Sequence, residues 1–185
     1  AGMVMARAIT LFKIYSKNKF KPNEIHYEMN NDLHQTNPTG VYVTSIVGSY
    51  NSNTDLIELS NAGHLPALFK NKNEFYEYES SSLPLGVKKA DNSNVYKLES
   101  FKLGTGRLYC FTDGFSECRN DQGEEIGIEG VKKLITTFEN SSLKKELLKI
   151  TKDVEKRSTK GQNFDQDGSQ ANILEDDLTI IGLGK

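Results

Sequence analysis

The feature that most constrains the fold is a block of short apolar segments between residues 41 and 112. Polar or glycine-containing turns separate them, and no helical pattern lies between them. The segments are VYVTSIVGSY, DLIELS, PALF, EFYEYE, NVYKLE and RLYCFT. Their β-branched and aromatic residues predict strands, and the short connections predict antiparallel hairpins, because parallel strands need longer crossover connections.

A helical pattern opens the chain at residues 1–16. Met5, Ile9 and Phe12 recur at helical spacing with Ala1 and Ala8 alongside. This pattern predicts an amphipathic helix whose apolar stripe faces the core. No capping residue precedes it, so we expect the sequence to begin within a larger domain.

Further helices are predicted on both sides of the strand block. One begins at Pro22, which suits a first helical position, and carries His26 and His34, each expected to be a surface or packing residue. The apolar stripes are Ile25, Met29 and Leu33; Ile128, Val131, Ile135 and Phe138; and Leu143, Leu147, Ile150 and Val154. With a last strand at LTIIGLG, the order predicts an α+β fold. We expect an antiparallel β-sandwich flanked by helices, in a single domain spanning residues 1–185.

Composition excludes several classes of partner. The formal net charge is −2, which leaves no basic excess for a nucleic-acid backbone. No apolar run approaches the ~18 residues that a membrane span needs. The cysteines, Cys110 and Cys118, form neither a C-x-x-C motif nor a disulfide framework, so we expect a reducing, cytoplasmic setting and no direct contact with nucleic acid or membrane.

Acidic turns follow or precede apolar strands at two places. Asp113 lies in FTDGFSE, and Asp176 and Asp177 lie in EDDLTIIGL. A polar loop at residues 158–175 leads into the second segment and is expected to position Asp176. Carboxylates aimed at one point from a rigid sheet are how proteins hold Mg²⁺ or Mn²⁺. Each turn taken alone is equally compatible with a simple strand cap, and two carboxylate sites are too few for a complete catalytic centre.

Two further motifs look like ordinary turns when taken alone. Asn61, Gly63 and His64 belong to NAGHLP, where asparagine and glycine tolerate a tight turn and proline fixes its exit. LPLG at residues 83–86 is compatible with another turn. Neither motif indicates a chemical role by itself.

Together, NAGHLPALF, LPLG, FTDGFSECRNDQGEEIG and DDLTIIGL resemble one family, the bacterial branch of the metal-dependent Ser/Thr protein phosphatases (PPM family) typified by SpoIIE and RsbU-like proteins. The resemblance spans nearly the whole chain. TDG-x-x-E followed by R-N-x-x-G-E is its most specific part. It implies a PPM-type αββα sandwich.

The resemblance also implies roles for single residues. Asp113 and Asp176 match metal ligands, with Asp177 a less favoured ligand, for two Mn²⁺ or Mg²⁺ ions in the complete domain. Gly114 would let the backbone turn under the site. Glu117 and Arg119 would brace that turn. Asn61, Gly63 and His64 match a signature loop whose role the sequence does not reveal.

One departure from the family matters. Two further metal-binding aspartates, in G-D-x-Y and D-x-S/G-G-H-G motifs, are expected upstream and are absent from this sequence. We therefore expect the C-terminal portion of a phosphatase domain, N-terminally incomplete, with little or no activity alone.

The resemblance implies a protein serine/threonine phosphatase acting in stress response and sigma-factor regulation. Its substrate would be a phosphorylated anti-sigma-factor antagonist of the STAS type, and an upstream sensor or receiver domain would control it. A homodimer is possible through the apolar face of the first helix. The alternative is a degenerate, non-catalytic interaction module that binds such a partner.

Overall fold

The computed structural model describes residues 2–120, 122–139, 141–160 and 177–185, with the side chains of 158–160 excepted. Its helices are α1 (Gly2–Lys17), α2 (Pro22–Thr36), α3 (Asp113–Ser116), α4 (Gly127–Phe138) and α5 (Leu143–Lys160). Its strands are β1 (Ser45–Asn51), β2 (Leu56–Ala62), β3 (Ala67–Asn71), β4 (Glu74–Tyr78), β5 (Glu99–Lys102), β6 (Arg107–Phe111) and β7 (Ile180–Gly184). Most of the predicted loop at residues 158–175, and Asp176 after it, lie outside the described residues.

The described strands form two sheets, with orders β1-β2-β5 and β4-β3-β6-β7. The pairs β1–β2, β2–β5, β3–β6 and β6–β7 are antiparallel, as the short connections predicted. In the β6–β7 ladder, Phe111 lies opposite Ile180. This register matters because β6 leads directly into the first acidic turn and β7 follows the second.

The chain divides into two compact units. Unit 1 comprises residues 1–67 and 76–104, and unit 2 comprises residues 68–75 and 105–185. The boundary falls within the β3–β4 hairpin. The single domain predicted from the sequence stays a prediction.

The core of unit 1 lies on the inner face of α2. Ile25, Met29 and Leu33 are buried there, as their four-residue spacing predicted. Val47 of β1 and Leu85 of the LPLG segment belong to the same cluster. Pro22 begins α2, and the backbone N–H of Lys21 donates to Glu24 Oε2 at 2.7 Å, which is the half of a capping box that the glutamate supplies.

The prediction of which face of α1 is buried is wrong. Met5, Ile9 and Phe12 are 56%, 47% and 39% exposed, whereas Ala8 is buried. Leu11 and Tyr15 pack beside Ala8 against the core. Apolar residues lie all round this helix, so their spacing did not single out one face. The small side chain of Ala8 allows close packing, and the larger residues are left outside.

The strand predicted at NVYKLE is also wrong. Residues Ser93–Val95 form a short 3₁₀ turn, and β5 begins only at Glu99. Asn92 caps the turn, since its side chain accepts a hydrogen bond from the Asn94 N–H at 3.0 Å. Asparagine side chains that bond to nearby backbone in this way compete with strand formation.

Unit 2 packs α4 and α5 with its strands. Val131 and Ile135 of α4, and Ile150 and Val154 of α5, are fully buried, in agreement with the predicted stripes. A Cβ on Gly182 of β7 would lie 3.0 Å from the side chain of Leu143, so β7 and α5 are in close contact. None of the described helices is long and apolar enough to span a membrane.

Candidate active site

The first acidic turn lies where β6 ends. Thr112 follows the strand in extended conformation, and Asp113 opens the one-turn helix α3. The Asp113 side chain is exposed, and its Oδ1 accepts the Gly114 N–H at 3.1 Å. Its carbonyl accepts the Glu117 N–H at 2.8 Å. The strand thus ends in a carboxylate held on a closed turn.

The second acidic turn meets the first through Thr112. Its hydroxyl donates to the carbonyl of Asp177 at 2.7 Å and accepts the Thr179 N–H at 3.0 Å. Its own N–H donates to the Thr179 carbonyl at 3.0 Å. These bonds extend the β6–β7 pairing past the end of the strands. The backbones that carry Asp113 and Asp177 are therefore joined side by side.

Gly114 fits this junction because the chain approaches closely there. A Cβ at this position would lie 3.1 Å from the Asp177 carbonyl oxygen and 3.0 Å from the Leu178 side chain. Gly114 is not among the glycines with positive φ. Its need for glycine comes from close packing between the two turns rather than from the turn conformation that the sequence suggested.

The described part of the site is chemically suited to a divalent cation. Asp113 and Asp177 are both exposed, and carboxylate oxygens are the hard ligands that Mg²⁺ and Mn²⁺ prefer. Among the described residues, no group of three or more histidine, cysteine or acidic side chains could hold an ion. Asp176 lies outside those residues, so the preference for Asp176 over Asp177 stays a prediction.

Glu117 and Arg119 lie just after α3, and both are exposed. The Arg119 guanidinium donates to the Gly123 carbonyl at 2.7 Å, and the backbones of Arg119 and Glu125 pair in an isolated antiparallel β-bridge. These contacts of Arg119 stabilise the hairpin of the R-N-x-x-G-E motif, which follows the TDG turn. Support of the TDG turn itself by Glu117 and Arg119 stays a prediction.

The signature loop of unit 1 is organised by the buried side chain of Asn61. Its amide nitrogen donates to the carbonyls of His64, Leu65 and Tyr78 at 3.3, 3.0 and 3.2 Å. Its oxygen accepts the His64 N–H at 3.0 Å. Asn61 therefore fixes the turn that follows β2 and ties it to the end of β4.

Gly63 explains why NAGH and LPLG occur together. Its φ is +66°, and a Cβ there would lie 2.4 Å from the ring of Pro84. Its N–H donates to Ser80 Oγ at 2.6 Å. His64 is half-buried, with Nδ1 lying 3.1 Å from Thr44 Oγ1. The two motifs are thus parts of one packed turn structure within unit 1.

A buried polar network in unit 2 was missed by the sequence reasoning. Glu146 of α5 is fully buried, accepts the Tyr109 hydroxyl at 2.5 Å and forms an ion pair with Arg107. The Arg107 guanidinium also donates to the Ser141 carbonyl at 3.1 Å. The available signal was a glutamate within the apolar stripe of α5, because such a position requires a buried partner. Thr112, which joins the acidic turns, was missed as well.

The cysteines give no sign of nucleophilic chemistry. Burial raises the pKa of Cys110 to about 11, which keeps its thiol protonated near neutral pH. Cys118 is buried, with Sγ lying 3.8 Å from the Val154 carbonyl oxygen. Both are free thiols.

The fold is that of the PP2C-type phosphatase domains, as two solved structures show. The SiaA-PP2C domain of Pseudomonas aeruginosa superposes with a TM-score of 0.75 at 13% identity, covering 99% of this chain and 68% of that one. The PP2C phosphatase domain of SpoIIE from Bacillus subtilis, with a fragment of its regulatory domain, gives 0.70 at 14% identity, covering 97% and 49%. The predicted α+β, PPM-type sandwich fold is confirmed.

The chain belongs to the SpoIIE family, because the family model for stage II sporulation protein E matches residues 1–184. The phosphoserine phosphatase RsbU of Bacillus subtilis (strain 168) is 26% identical over 165 residues, which are 88% of this chain and 44% of RsbU. The chain thus spans less than half the length of that relative. The resemblance seen in the sequence motifs is confirmed.

Proposed function

We propose that this chain is part of a metal-dependent protein serine/threonine phosphatase. The substrate would be a phosphoserine or phosphothreonine on a bacterial regulatory protein such as an anti-sigma-factor antagonist. Membership of the SpoIIE family and likeness to a named phosphoserine phosphatase support the reaction class. The observation that carries the proposal is the 2.7 Å hydrogen bond from Thr112 to the Asp177 carbonyl, because it joins the two acidic turns.

Asp113 and Asp176 would hold Mn²⁺ or Mg²⁺, with Asp177 beside them. A SpoIIE phosphatase domain presoaked with manganese has been solved, with a TM-score of 0.59 at 16% identity covering 95% of this chain and 70% of that one. When bound, a pair of such ions would lower the pKa of a shared water toward ~7 and stabilise charge on the phosphoryl oxygens. Thr112 would keep the two carboxylate-bearing backbones in register, and Gly114 would let them approach.

The 185 residues alone should have only trace activity. Mg²⁺ and Mn²⁺ need several oxygens in near-octahedral array, and the aspartates of two turns supply too few. Under this proposal an upstream sensor or receiver domain controls the enzyme in the cytoplasm. A homodimer through the exposed Met5, Ile9 and Phe12 face of α1 is part of the same proposal.

Manganese binding tests the proposal directly. Electron paramagnetic resonance of free Mn²⁺ would follow its titration into the wild type, Asp113→Asn and the control Asp91→Asn. Asp91 is an exposed aspartate in a polar loop of unit 1. We expect weak wild-type binding, at about millimolar ion, that Asp113→Asn weakens severalfold and Asp91→Asn leaves unchanged.

Equal binding by all three proteins would contradict a role for Asp113 in metal binding. Circular dichroism would establish that each variant is folded. Release of phosphate from a phosphoserine peptide, measured with and without Mn²⁺, would test the activity. Fast manganese-dependent release by these 185 residues would overturn the expectation of trace activity.

A further inference from the structure

Thr112 takes part in two structures at once, because β6 ends and α3 begins around it. Its carbonyl accepts the Phe115 N–H at 3.1 Å, which closes the first turn of α3. In a hydrogen-bonded pair of antiparallel strands, the two residues exchange N–H···O=C bonds. The Thr112 N–H donates to the Thr179 carbonyl in this way, but the Thr179 N–H donates to Thr112 Oγ1 at 3.0 Å. The side-chain hydroxyl therefore takes the place of the carbonyl where the β6–β7 pairing ends.

The hydroxyl of Thr112 is not used to cap α3. Thr112 is the N-cap residue of that helix, and a threonine in this position usually accepts a backbone N–H from the first helical turn. Within this described segment, the Thr112 side chain makes no such bond. It donates instead to the Asp177 carbonyl at 2.7 Å, in the stretch that precedes β7. The side chain thus serves the second acidic turn rather than its own helix.

The stretch from Asp177 to Thr179, just before β7, is tied to the first acidic turn through Thr112. All hydrogen bonds that join Thr179 to other described residues involve Thr112. A Cβ on Gly114 would lie 3.1 Å from the same Asp177 carbonyl oxygen that the Thr112 hydroxyl binds. Asp113 therefore lies between two residues that both meet the Asp177 peptide.

We propose that Thr112 is a positioning residue of the metal site. Its hydroxyl sets the separation between the first and the second acidic turns, and with it the affinity for a divalent ion, without contacting the ion. The ion rests on the proposed function, whereas the junction of the two turns rests on the hydrogen bonds alone. Groups that orient metal ligands indirectly in this way usually contribute about tenfold or more to metal affinity.

A hydroxyl group is suited to both contacts of this side chain, because it is a donor and an acceptor at once. It accepts a hydrogen bond from the Thr179 N–H and donates another to the Asp177 carbonyl. Serine would retain both bonds. Valine has nearly the shape of threonine but can form neither of them. Comparison of the two substitutions therefore separates the effect of the hydroxyl from that of side-chain shape.

Amide hydrogen exchange measured by NMR tests the junction without metal. We expect the Thr179 amide to exchange about tenfold faster in Thr112→Val than in the wild type, and at about the wild-type rate in Thr112→Ser. The matched control is Thr137→Val, which removes a hydroxyl that donates to the Lys133 carbonyl at 2.8 Å on α4. This control should leave the exchange of the Thr179 amide unchanged. Circular dichroism would establish that each variant is folded.

Titration of Mn²⁺, followed by electron paramagnetic resonance, tests the positioning role in the same proteins. We expect Thr112→Val to weaken Mn²⁺ binding about fivefold, and Thr112→Ser and Thr137→Val to weaken it less than twofold. Equal binding by Thr112→Val and the wild type would overturn the proposal, as would a loss in Thr112→Ser as large as that in Thr112→Val. Failure of Thr112→Val to fold would also overturn it, because the hydroxyl would then be required by the fold rather than by the site.

Failure of this inference and failure of the proposed function give different results. If Asp113→Asn weakens Mn²⁺ binding and Thr112→Val does not, the metal site stands and the positioning role of Thr112 is refuted. If Asp113→Asn binds Mn²⁺ like the wild type, the metal site is refuted, and the positioning role with it. Faster exchange of the Thr179 amide in Thr112→Val would then show that the hydroxyl only joins the two turns.

Discussion

Protonation of His26 should destabilise unit 1 as the pH falls. The imidazole is fully buried, with Nδ1 lying 3.0 Å from Ser60 Oγ and Nε2 lying 3.3 Å from Ser45 Oγ. The Tyr96 ring lies 5.6 Å away. These neighbours are neutral, so they satisfy the uncharged ring without compensating a positive charge. Burial accordingly lowers the pKa of His26 from its ordinary value of 6.5 to about 3.

The direction of this pH dependence follows from the protons that the folded and the unfolded chain bind. Between pH 6.5 and 3 the unfolded chain carries a proton on His26 that the folded chain does not. Stability from this residue is therefore fully present above pH 6.5 and is lost as the pH falls toward 3. A pKa near 3 when folded and 6.5 when unfolded makes the loss between pH 7 and pH 5 about 2 kcal/mol.

Urea unfolding at pH 7, 6 and 5 would measure this loss in the wild type and in His26→Gln. Carboxylates titrate in both proteins, so the quantity to compare is the difference between their free energies of unfolding. We expect that difference to fall by about 2 kcal/mol from pH 7 to pH 5. An NMR titration of the wild-type His26 ring should find it neutral at pH 5. A difference independent of pH, or a ring that protonates near pH 6, would refute the reasoning.

Two further substitutions test the packing around the signature motifs and the buried network. Tyr109→Phe removes the hydroxyl donated to the buried Glu146 carboxylate and should lower the free energy of unfolding by about 1.5–3 kcal/mol in urea; a loss below about 0.5 kcal/mol would contradict that hydrogen bond. Gly63→Ala should cost about 3 kcal/mol or more, since it adds a clash with Pro84 to an unfavourable φ of +66°. Its control, Gly104→Ala, has a φ of +56° and open space, and should cost only about 1–2 kcal/mol; equal melting temperatures of the two variants would exclude the clash.

The sequence was sufficient to predict the structure of a segment where one physical requirement dominated that segment. On α2, the proline at its start and the four-residue spacing of its apolar residues indicated a single buried face. Ile25, Met29 and Leu33 were therefore correctly predicted to be buried. The antiparallel pairing followed from connections too short for crossovers. On α1, apolar residues surround the helix, and only tertiary packing selects Ala8 rather than Met5 for the core.

Polar residues with structural roles were harder to predict than apolar ones. The burial of the Glu146 carboxylate depends on its contacts with Arg107 and Tyr109. Those two residues are distant from it in sequence and come near only because α5 packs on the sheet. Asn61 likewise bonds to Tyr78 on another strand. A periodicity argument detects which side of an element is apolar. It does not identify the specific partner that a buried polar group needs.

The relation between the two acidic turns shows how far sequence reasoning can reach toward a site. An antiparallel β6–β7 ladder in which Phe111 lies opposite Ile180 sets the residues just beyond its end beside one another. Thr112 then meets Asp177 and Thr179, and Gly114 meets the Asp177 backbone, as a consequence of strand register. The register of two apolar strands bordered by T-D-G and D-D-x-T therefore accounts for the adjacency of the Asp113 and Asp177 backbones without a resemblance to any family. Strand register does not position the further ligands that a complete metal centre needs. The decisive measurement is therefore metal binding by Asp113, because the geometry of its turn alone does not establish a metal site.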